Sequence, residues 1–323
     1  MNFTAIDNNG TVDGFCIIKS IEKRISSKGD TYLDMILGDK DGEIIAKLWN
    51  YNENIHGIYE SNQIVKVRGT ISVYNGRDQL RIDRIRRTND DDCVSIEDFI
   101  KSAAYDDKQM YNELLTIAER FLDRDLSLLV TTILEDNRLN LLYWPAAFKL
   151  HHAIRGGLLM HTLSIVRLAQ SVCKLYPFID EELLLSGAIL HDIAKISEFE
   201  VSETGIATGY SVKGNLIGHL VEGAMTVRGT AEKLGIDEGK ALLVEHMILS
   251  HHGEPEFGVA VRPLFIEAEV LSQLDAFDAK IYEMRESVSG VKNGEFTGKL
   301  WFLNDRKFFN TGRNDFDKEV NLF

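Results

Sequence analysis

The most specific run in this sequence is Ile189-Leu190-His191-Asp192-Ile193-Ala194-Lys195, where an adjacent histidine and aspartate lie among apolar residues. Apolar residues precede the run from Leu183 onward, which predicts a buried helix over Glu181–Ile196. Adjacent side chains on a helix diverge by about 100°, yet both can reach one cation above that face. Because a buried aspartate is costly without a compensating charge, the run predicts a metal ion at Asp192.

Histidines are concentrated in the same part of the chain. Eight of the nine fall between residues 151 and 252. A hydrogen-bonded core or surface position is the simpler interpretation of any single histidine, but eight on successive helices predict a metal centre. Nitrogen and carboxylate ligands together suit Mn, Fe, Co, Ni or Zn. The eight are His151, His152, His161, His191, His219, His246, His251 and His252.

Length and composition limit the class of protein. A chain of 323 residues predicts two domains. No apolar run approaches the roughly 18 residues of a membrane helix, and Met1–Gly10 does not resemble a signal peptide, so we expect a cytoplasmic protein with no membrane partner. The three cysteines, Cys16, Cys93 and Cys173, have no paired spacing, which argues against a thiolate zinc site.

The first 90 residues predict a small β-barrel. Runs rich in β-branched and aromatic residues alternate with hairpin signals such as Gly38–Gly42 and Asn75-Gly76. Five short antiparallel strands fit a closed barrel, so we predict one domain over residues 1–90. The predicted strands are Gly14–Ile25, Thr31–Leu37, Glu43–Trp49, Ile64–Tyr74 and Gln79–Ile85.

Residues 91–323 predict a second, mostly α-helical domain. An acidic segment, Thr88–Asp92, precedes it, and apolar residues then recur at helical spacing. The segment Gly294–Asn310 is aromatic and mixed in charge, which favours a packed strand or arm. The predicted helices are Asn112–Leu134, Leu158–Leu175, Glu181–Ile196, Gly218–Leu234, Lys240–Ser250 and Phe265–Met284. The predicted fold class is therefore multidomain α and β.

The net charge of -14 argues against binding of nucleic acid, but the distribution of charge along the chain does not. Residues 1–90 are neutral, with 13 basic and 13 acidic residues. Within them, Ile64–Arg87 has seven basic residues against Asp78 and Asp83. These seven form a local basic stripe, Lys66, Arg68, Arg77, Arg81, Arg84, Arg86 and Arg87.

The histidines and aspartates resemble the signature of the HD phosphohydrolase superfamily, in the order His161, His191-Asp192 and Asp275. The resemblance implies a first divalent metal on His161, His191, Asp192 and Asp275. A second metal would share Asp192 and add His219 and His251, with His252 as either a further ligand or a contact to substrate phosphate.

In the mechanism that the resemblance implies, a metal-activated water attacks phosphorus near Asp192. Lys195 either neutralises phosphate charge or forms a salt bridge with Asp192 or Glu198. Arg155 is a second candidate for the phosphate. A structural role for His246, and a capping or surface role for His151 and His152, remain alternatives.

The barrel segment resembles the OB fold, which binds single strands through aromatic platforms and a basic groove. An OB segment joined to an HD domain resembles the YhaM-type 3′→5′ exoribonucleases over nearly the whole chain, including Leu150–Leu158 and His246–Gly253. That likeness implies cleavage of single-stranded RNA, and also of single-stranded DNA, to nucleoside monophosphates with one or two ions, Mn²⁺ first. The residues expected to bind nucleic acid are Tyr32, Trp49, Lys66, Arg68, Tyr74, Arg77 and Arg81.

Two other functions stay open at this point. One is an HD-type nucleotide phosphohydrolase, although Lys195-Ile196-Ser197 replaces the Gly-Tyr-Pro usual in cyclic-dinucleotide enzymes. The other is a non-catalytic single-strand binding factor, which has no need of so many convergent histidines. The sequence also leaves homo-oligomerisation open.

Overall fold

The computed structural model describes residues 10–27, 29–40, 42–74, 77–94, 98–100, 102–148, 152–202 and 205–323. The chain divides into two compact units, Met1–Lys101 and Ser102–Phe323. The sequence predicts the boundary at residue 90, whereas the first unit continues beyond a short 3₁₀ helix, Asp90–Asp92. Arg86 donates to both carboxylate oxygens of Asp92, at 2.7 and 2.6 Å, which attaches this segment to the barrel.

The first unit is a closed five-stranded barrel, as predicted. Its strands are β1 (Thr11–Ile25), β2 (Thr31–Gly38), β3 (Glu43–Leu48), β4 (Ile64–Tyr74) and β5 (Arg77–Arg87), with a short helix α1 (Glu53–His56) between β3 and β4. The order around the barrel is β1-β2-β3-β5-β4, with β3 and β5 parallel and the other neighbours antiparallel. This is the strand order of the OB fold.

Alternation along β2 shows how the sequence specifies the barrel. Leu33, Met35 and Leu37 are buried in the barrel core, while the residues between them face outward. Because side chains on a strand alternate between the two faces, this pattern fixes which residues are available to a ligand. Tyr32 on β2 is therefore on the outer surface of the barrel.

The second unit is mostly helical and has one hydrophobic core. A two-stranded sheet, β6 (Phe199–Val201) and β7 (Ala207–Tyr210), interrupts the helices. Helix α5 is apolar on nearly every side and is buried over most of its length. The helices are α2 (Asp107–Glu119), α3 (Arg124–Asp136), α4 (Arg138–Leu141), α5 (Gly157–Leu175), α6 (Glu181–Leu190), α7 (Lys195–Glu198), α8 (Val212–Leu216), α9 (His219–Leu234), α10 (Glu238–Ser250) and α11 (Ile266–Ser289).

Two helix predictions differ from the structure. The predicted helix Asn112–Leu134 is broken between α2 and α3, where the Asp123 carboxylate caps α3 by accepting from the amides of Asp125 and Leu126. The predicted helix Glu181–Ile196 ends at Leu190. There the His191 ring donates from Nδ1 to the carbonyl of Ala188 at 2.9 Å, which occupies a carbonyl of the last turn. His191 and Asp192 therefore lie in a turn instead of on one continuous helix.

The segment predicted as a packed arm, Gly294–Asn310, folds back on itself. Isolated bridges pair Phe296 with Phe309 and Leu300 with Arg306. Within the part of the chain that the structure describes, no helix is both long and apolar enough to cross a membrane.

Candidate functional site

Helix ends bring the predicted ligands together. His161 lies on α5, His191 and Asp192 follow α6, and His219 is the first residue of α9. His251 and His252 follow the last residue of α10, and Asp275 lies on α11. His161 and Asp275 lie within helices, whereas the other predicted ligands lie at helix ends or in the turns that follow them. The five elements thus form one centre in the helical unit.

On one side of Asp192, four polar atoms converge. The Nε2 atom of His161 lies 3.3 Å from Nε2 of His191, 3.2 Å from Oδ1 of Asp275 and 3.6 Å from Oδ2 of Asp192. The Nε2 atom of His191 is 3.2 Å from the same Asp192 oxygen. Ligands about 2.0 to 2.2 Å from one ion are separated by roughly 3.0 to 3.5 Å, so this spacing fits a shared cation.

On the other side of Asp192, three more histidines converge. Its second oxygen, Oδ1, lies 3.6 Å from Nε2 of His219 and 3.7 Å from Nε2 of His251. The Nε2 atoms of His219 and His252 are 3.3 Å apart. His219, His251 and His252 offer nitrogen atoms within 4.8 Å of one another. Asp192 therefore presents one oxygen to each of two groups of donors.

The Nδ1 atom of every histidine in the centre lies beside a hydrogen-bond acceptor. The Nδ1 atoms of His191, His251 and His252 lie 2.9, 2.8 and 3.0 Å from backbone carbonyls. Those of His161 and His219 meet the carboxylates of Asp278 and Glu198, at 2.8 and 2.9 Å. Because Nδ1 donates at such bonds, the Nε2 atoms of all five rings face inward.

The centre also contains buried polar atoms without a hydrogen bond. They are Oδ1 of Asp192 and Nε2 of His251, on residues 2% and 1% exposed. An unpaired carboxylate oxygen and an unpaired imidazole nitrogen facing each other are unfavourable in a protein interior. A divalent cation accepts electrons from both, so the residues present fit a metal centre.

Lys195 lies inside the same centre. Its Nζ atom is 2.6 Å from Oδ2 of Asp192, so the salt bridge with Asp192 is the arrangement that the structure shows. Burial opposes both charges, but mutual attraction raises the pKa of Lys195 and holds the pKa of Asp192 well below its usual range. The carboxylate therefore stays ionised, as a metal ligand must be.

The histidines differ in their affinity for protons. Burial opposes the charge on His161, yet its hydrogen bonds with Asp275 and Asp278 raise its pKa to about 10. Burial lowers the pKa of His251 to about 3. A cation on the His161 side must therefore displace a proton, whereas His251 is already a neutral ligand.

Two residues that position histidines in this centre were not predicted from sequence in that role. Asp278 holds the Nδ1 atom of His161 and also lies 3.1 Å from Nε2 of His152. Glu198 holds His219 through both its ring and its backbone amide. The spacing of Asp275 and Asp278, three residues apart on one helix, is the signal that could have indicated Asp278.

We expect Asp278→Asn to weaken metal binding by roughly 10- to 100-fold, because an amide oxygen is a poorer acceptor for the His161 ring and lowers its basicity. Isothermal titration with Mn²⁺ measures this directly. Glu269→Gln, an exposed position on the same helix, is the matched control. Equal affinities of the two variants would contradict a positioning role for Asp278.

The remaining candidates in the helical unit have other contacts. The Arg155 guanidinium lies 3.9 Å from Asp107 and over the ring of Tyr143, and its role at the phosphate stays a prediction. His246 accepts at Nε2 from the Leu264 amide, which fits structural support. His152 is buried against Asp278 and Tyr282, and His151 is outside the described residues.

The predicted nucleic-acid residues lie in three regions of the barrel. Tyr32 and Trp49 stack with ring centroids 4.6 Å apart, and the Lys47 ammonium lies 5.2 and 5.5 Å from the two rings. Arg81 is opposite Lys47 in the β3–β5 pairing. Lys66 and Arg68 lie on β4, further around the barrel.

The other two predicted contacts lie at the β4–β5 hairpin. Tyr74 ends β4 and is 64% exposed, so its ring is accessible to a base. Arg77 begins β5, and its side chain is outside the described residues. In OB folds this hairpin loop and the β2–β3 face bind ligand.

Comparison with known proteins assigns the class of the helical unit. A family model described as HD domain matches residues 158–280, the part that carries His161, His191-Asp192 and Asp275. The fold and the centre therefore define an HD-domain protein joined to an OB-type barrel.

Relatives over the whole chain give the family. The 3′-5′ exoribonuclease YhaM of Bacillus licheniformis is 36% identical over 298 residues, covering 92% of this chain and 94% of that protein. The 3′-5′ exoribonuclease YhaM of Listeria monocytogenes serotype 4b is 37% identical over 300 residues, covering 93% and 95%. The chain belongs to the YhaM family of 3′-5′ exoribonucleases.

A solved structure is also similar to part of the chain. The second OB-fold domain of replication protein A from Methanococcus maripaludis matches 28% of this chain and 96% of that domain, with 17% identity and a TM-score of 0.21. A TM-score this low carries no functional conclusion. The OB assignment depends on the strand order of the barrel.

Proposed function

We propose that this protein is a metal-dependent 3′→5′ exoribonuclease that hydrolyses single-stranded RNA to nucleoside monophosphates. The observation that carries the proposal is the convergence of four Nε2 atoms, those of His161, His191, His219 and His251, on the two oxygens of Asp192. Membership of the YhaM family supports the substrate and the direction. Mn²⁺ is the expected ion, with Co²⁺, Fe²⁺, Ni²⁺ or Zn²⁺ as alternatives.

The donor set supports the following assignment of ligands. His161, His191 and Asp275 would hold one ion, and His219, His251 and His252 would hold the second. Asp192, whose two oxygens face the two groups, would be a ligand of both. Divalent ions at such a centre lower the pKa of a bound water and neutralise phosphate oxygens. The apolar shell of α5 and α6 keeps bulk water away from these ligands.

The basic side chains of the centre orient the carboxylate and the phosphate. The Lys195 ammonium fixes Oδ2 of Asp192 and adds positive charge beside the reacting phosphate. Arg155 is proposed to contact phosphate further along the strand. The Lys195 ammonium takes no proton in this proposal, since its ion pair with Asp192 holds it charged.

The barrel is proposed to hold the substrate strand. The stacked pair Tyr32 and Trp49 offers a platform for a base, and Lys47 adds charge beside it. Stacking tolerates every base, so single-stranded DNA is a second substrate under this proposal. A protein that degrades RNA in this way is expected in the cytoplasm.

A cleavage assay with single-stranded RNA labelled at its 5′ end tests the proposal. With Mn²⁺ we expect a ladder that shortens from the 3′ end, and with EDTA no cleavage. The same RNA labelled at its 3′ end should release a labelled mononucleotide at once. Internal fragments, hydrolysis of free nucleotides alone, or binding without cleavage would each contradict it.

The two histidines near the end of α10 give a sharper test of the second ion. We expect His252→Ala to lose one metal ion per chain and at least about tenfold in activity, because Nε2 of His252 faces His219. We expect His246→Ala to keep both ions, because its Nε2 atom already accepts from the Leu264 amide. Metal analysis by mass spectrometry measures this; identical metal content in both variants would exclude His252 as a ligand.

A further inference from the structure

The outer side of the β4–β5 ladder carries two consecutive pairs of basic residues. Lys66 is opposite Arg86, and Arg68 is opposite Arg84. Like charges directly opposite each other on a sheet destabilise it unless something neutralises them. This ladder therefore carries a cost that an anion would remove.

Only part of this charge is neutralised by the protein. Arg86 is bound to Asp92, and Lys66 lies 5.1 Å over the Phe15 ring. Among the residues that the structure describes, Arg68 and Arg84 have neither an ion pair nor a hydrogen bond through their side chains, and both are exposed. Asp13 is opposite Arg68 on β1, and Asp83 forms an ion pair with Arg81. Together with Asp92, these are three acidic residues against five basic ones, so the local balance stays positive: Lys66, Arg68, Arg81, Arg84 and Arg86.

These residues line a concave surface. A cavity of about 530 Å³ lies among the outer residues of β4 and β5 and the short helix α1. Four basic residues and two acidic ones contribute charge to its wall, while Ile55 and Ile85 contribute apolar surface. The charged residues are Lys66, Arg68, Arg84 and Arg86, with Asp13 and Asp83. Such a mixture fits a sugar-phosphate chain, with phosphates on the cations and ribose on the apolar part.

Strand β5 connects this cavity with the aromatic platform. β3 pairs with β5 at Gln79, Leu80 and Arg81. Arg81 is opposite Lys47, which lies over the Tyr32 and Trp49 rings, so this part of β5 is next to the platform. Arg84 is three residues further, about 10 Å along the strand. A single strand stacked on Tyr32 and Trp49 can therefore follow β5 into the cavity.

We propose that the cavity formed by Lys66, Arg68 and Arg84, which we call the β4–β5 groove, binds the phosphodiester backbone of single-stranded RNA. The groove is separate from the Tyr32–Trp49 platform and increases affinity through charge alone, without selecting bases. This inference rests on the proposed function, because that function supplies the single-stranded ligand.

Binding of a fluorescein-labelled 12-nucleotide oligouridylate to the full chain tests the groove. EDTA is present, so that no cleavage occurs and binding is measured apart from catalysis. A contact to one phosphate of a single strand contributes a slope of about 0.7 to the dependence of log Kd on log salt, which is about fivefold at 0.1 M salt. Arg68→Ala and Arg84→Ala should each raise Kd by about that factor and reduce the slope by about that amount.

Lys40→Ala is the matched control, because Lys40 is an exposed cation of the same barrel outside the groove. Its Kd and slope should equal those of the unmodified protein. The groove variants should also keep the melting temperature of the unmodified protein, because removing an arginine side chain relieves repulsion between like charges. A lower melting temperature would indicate a structural role for that arginine and overturn the proposal. Equal slopes for Arg84→Ala and Lys40→Ala would overturn it as well.

Hydrolysis of a small substrate tests the metal centre independently of the groove. Hydrolysis of bis(p-nitrophenyl) phosphate with Mn²⁺ should be unchanged in Arg68→Ala and Arg84→Ala, because that substrate has a single phosphodiester and no nucleotide chain for the groove to bind. Loss of this hydrolysis in the groove variants would overturn the separation of the two sites. If the unmodified protein leaves 5′-labelled RNA uncleaved with Mn²⁺, the proposed function fails, while the binding measurements still decide about the groove.

Discussion

Replacement of Asp192 by asparagine is expected to reduce hydrolysis of single-stranded RNA by roughly 10³-fold or more. Its two oxygens face separate groups of histidines, so the substitution removes charge from both proposed ion sites at once. It also leaves the buried Lys195 ammonium without its carboxylate. Ions of this kind contribute several kcal/mol to transition-state stabilisation, and each 1.4 kcal/mol is about tenfold in rate.

Single-turnover cleavage of 5′-labelled RNA with Mn²⁺ measures the effect, and metal analysis of the same sample shows whether the ions are lost. Asp317→Asn, an exposed carboxylate near the end of the helical unit, is the matched control and should keep both rate and metal content. A rate for Asp192→Asn within tenfold of the unmodified protein would mean that hydrolysis does not depend on this centre.

The second large effect concerns stability at the start of α5. We expect Gly157→Ala to lower the free energy of unfolding by roughly 3 kcal/mol. A Cβ atom at this position would lie 2.0 Å from the carbonyl oxygen of His152, and a backbone atom cannot move aside cheaply. His152 contacts Asp278, which holds His161, so the shift should also weaken metal binding.

Gly229→Ala is the control for this substitution. Gly229 lies inside α9, and a Cβ atom there meets nothing within 4 Å. The same change should therefore raise stability by up to about 1 kcal/mol through helix propensity. Urea unfolding of both variants gives the comparison. If the two free energies change in the same direction, the close approach at Gly157 is not what constrains the backbone.

The barrel could be predicted from sequence because local rules determine it. Alternation such as Leu33, Met35 and Leu37 assigns each side chain of β2 to a face, and hairpin signals separate the strands. The division of the basic stripe could not be predicted. It depends on register, which sets Arg81 opposite Lys47 but Arg84 opposite Arg68.

The order of the candidate ligands along the chain indicated which residues to consider, but the residues that orient their rings could not be predicted from it. The helix that begins at Glu181 ends at Leu190 because the His191 ring donates to a backbone carbonyl. The spacing of apolar residues does not indicate that hydrogen bond. Asp278 and Glu198 act on histidines 117 and 21 residues away, so only the packed helices reveal them.

The central claim is that the convergent histidines and Asp192 form the metal centre that hydrolyses RNA. Anomalous diffraction at the manganese edge from crystals grown with Mn²⁺ tests it most directly. We predict one peak among His161, His191 and Asp275 and a second among His219, His251 and His252, with Asp192 between them. Manganese peaks elsewhere, or none at this centre in a preparation that cleaves RNA, would contradict it.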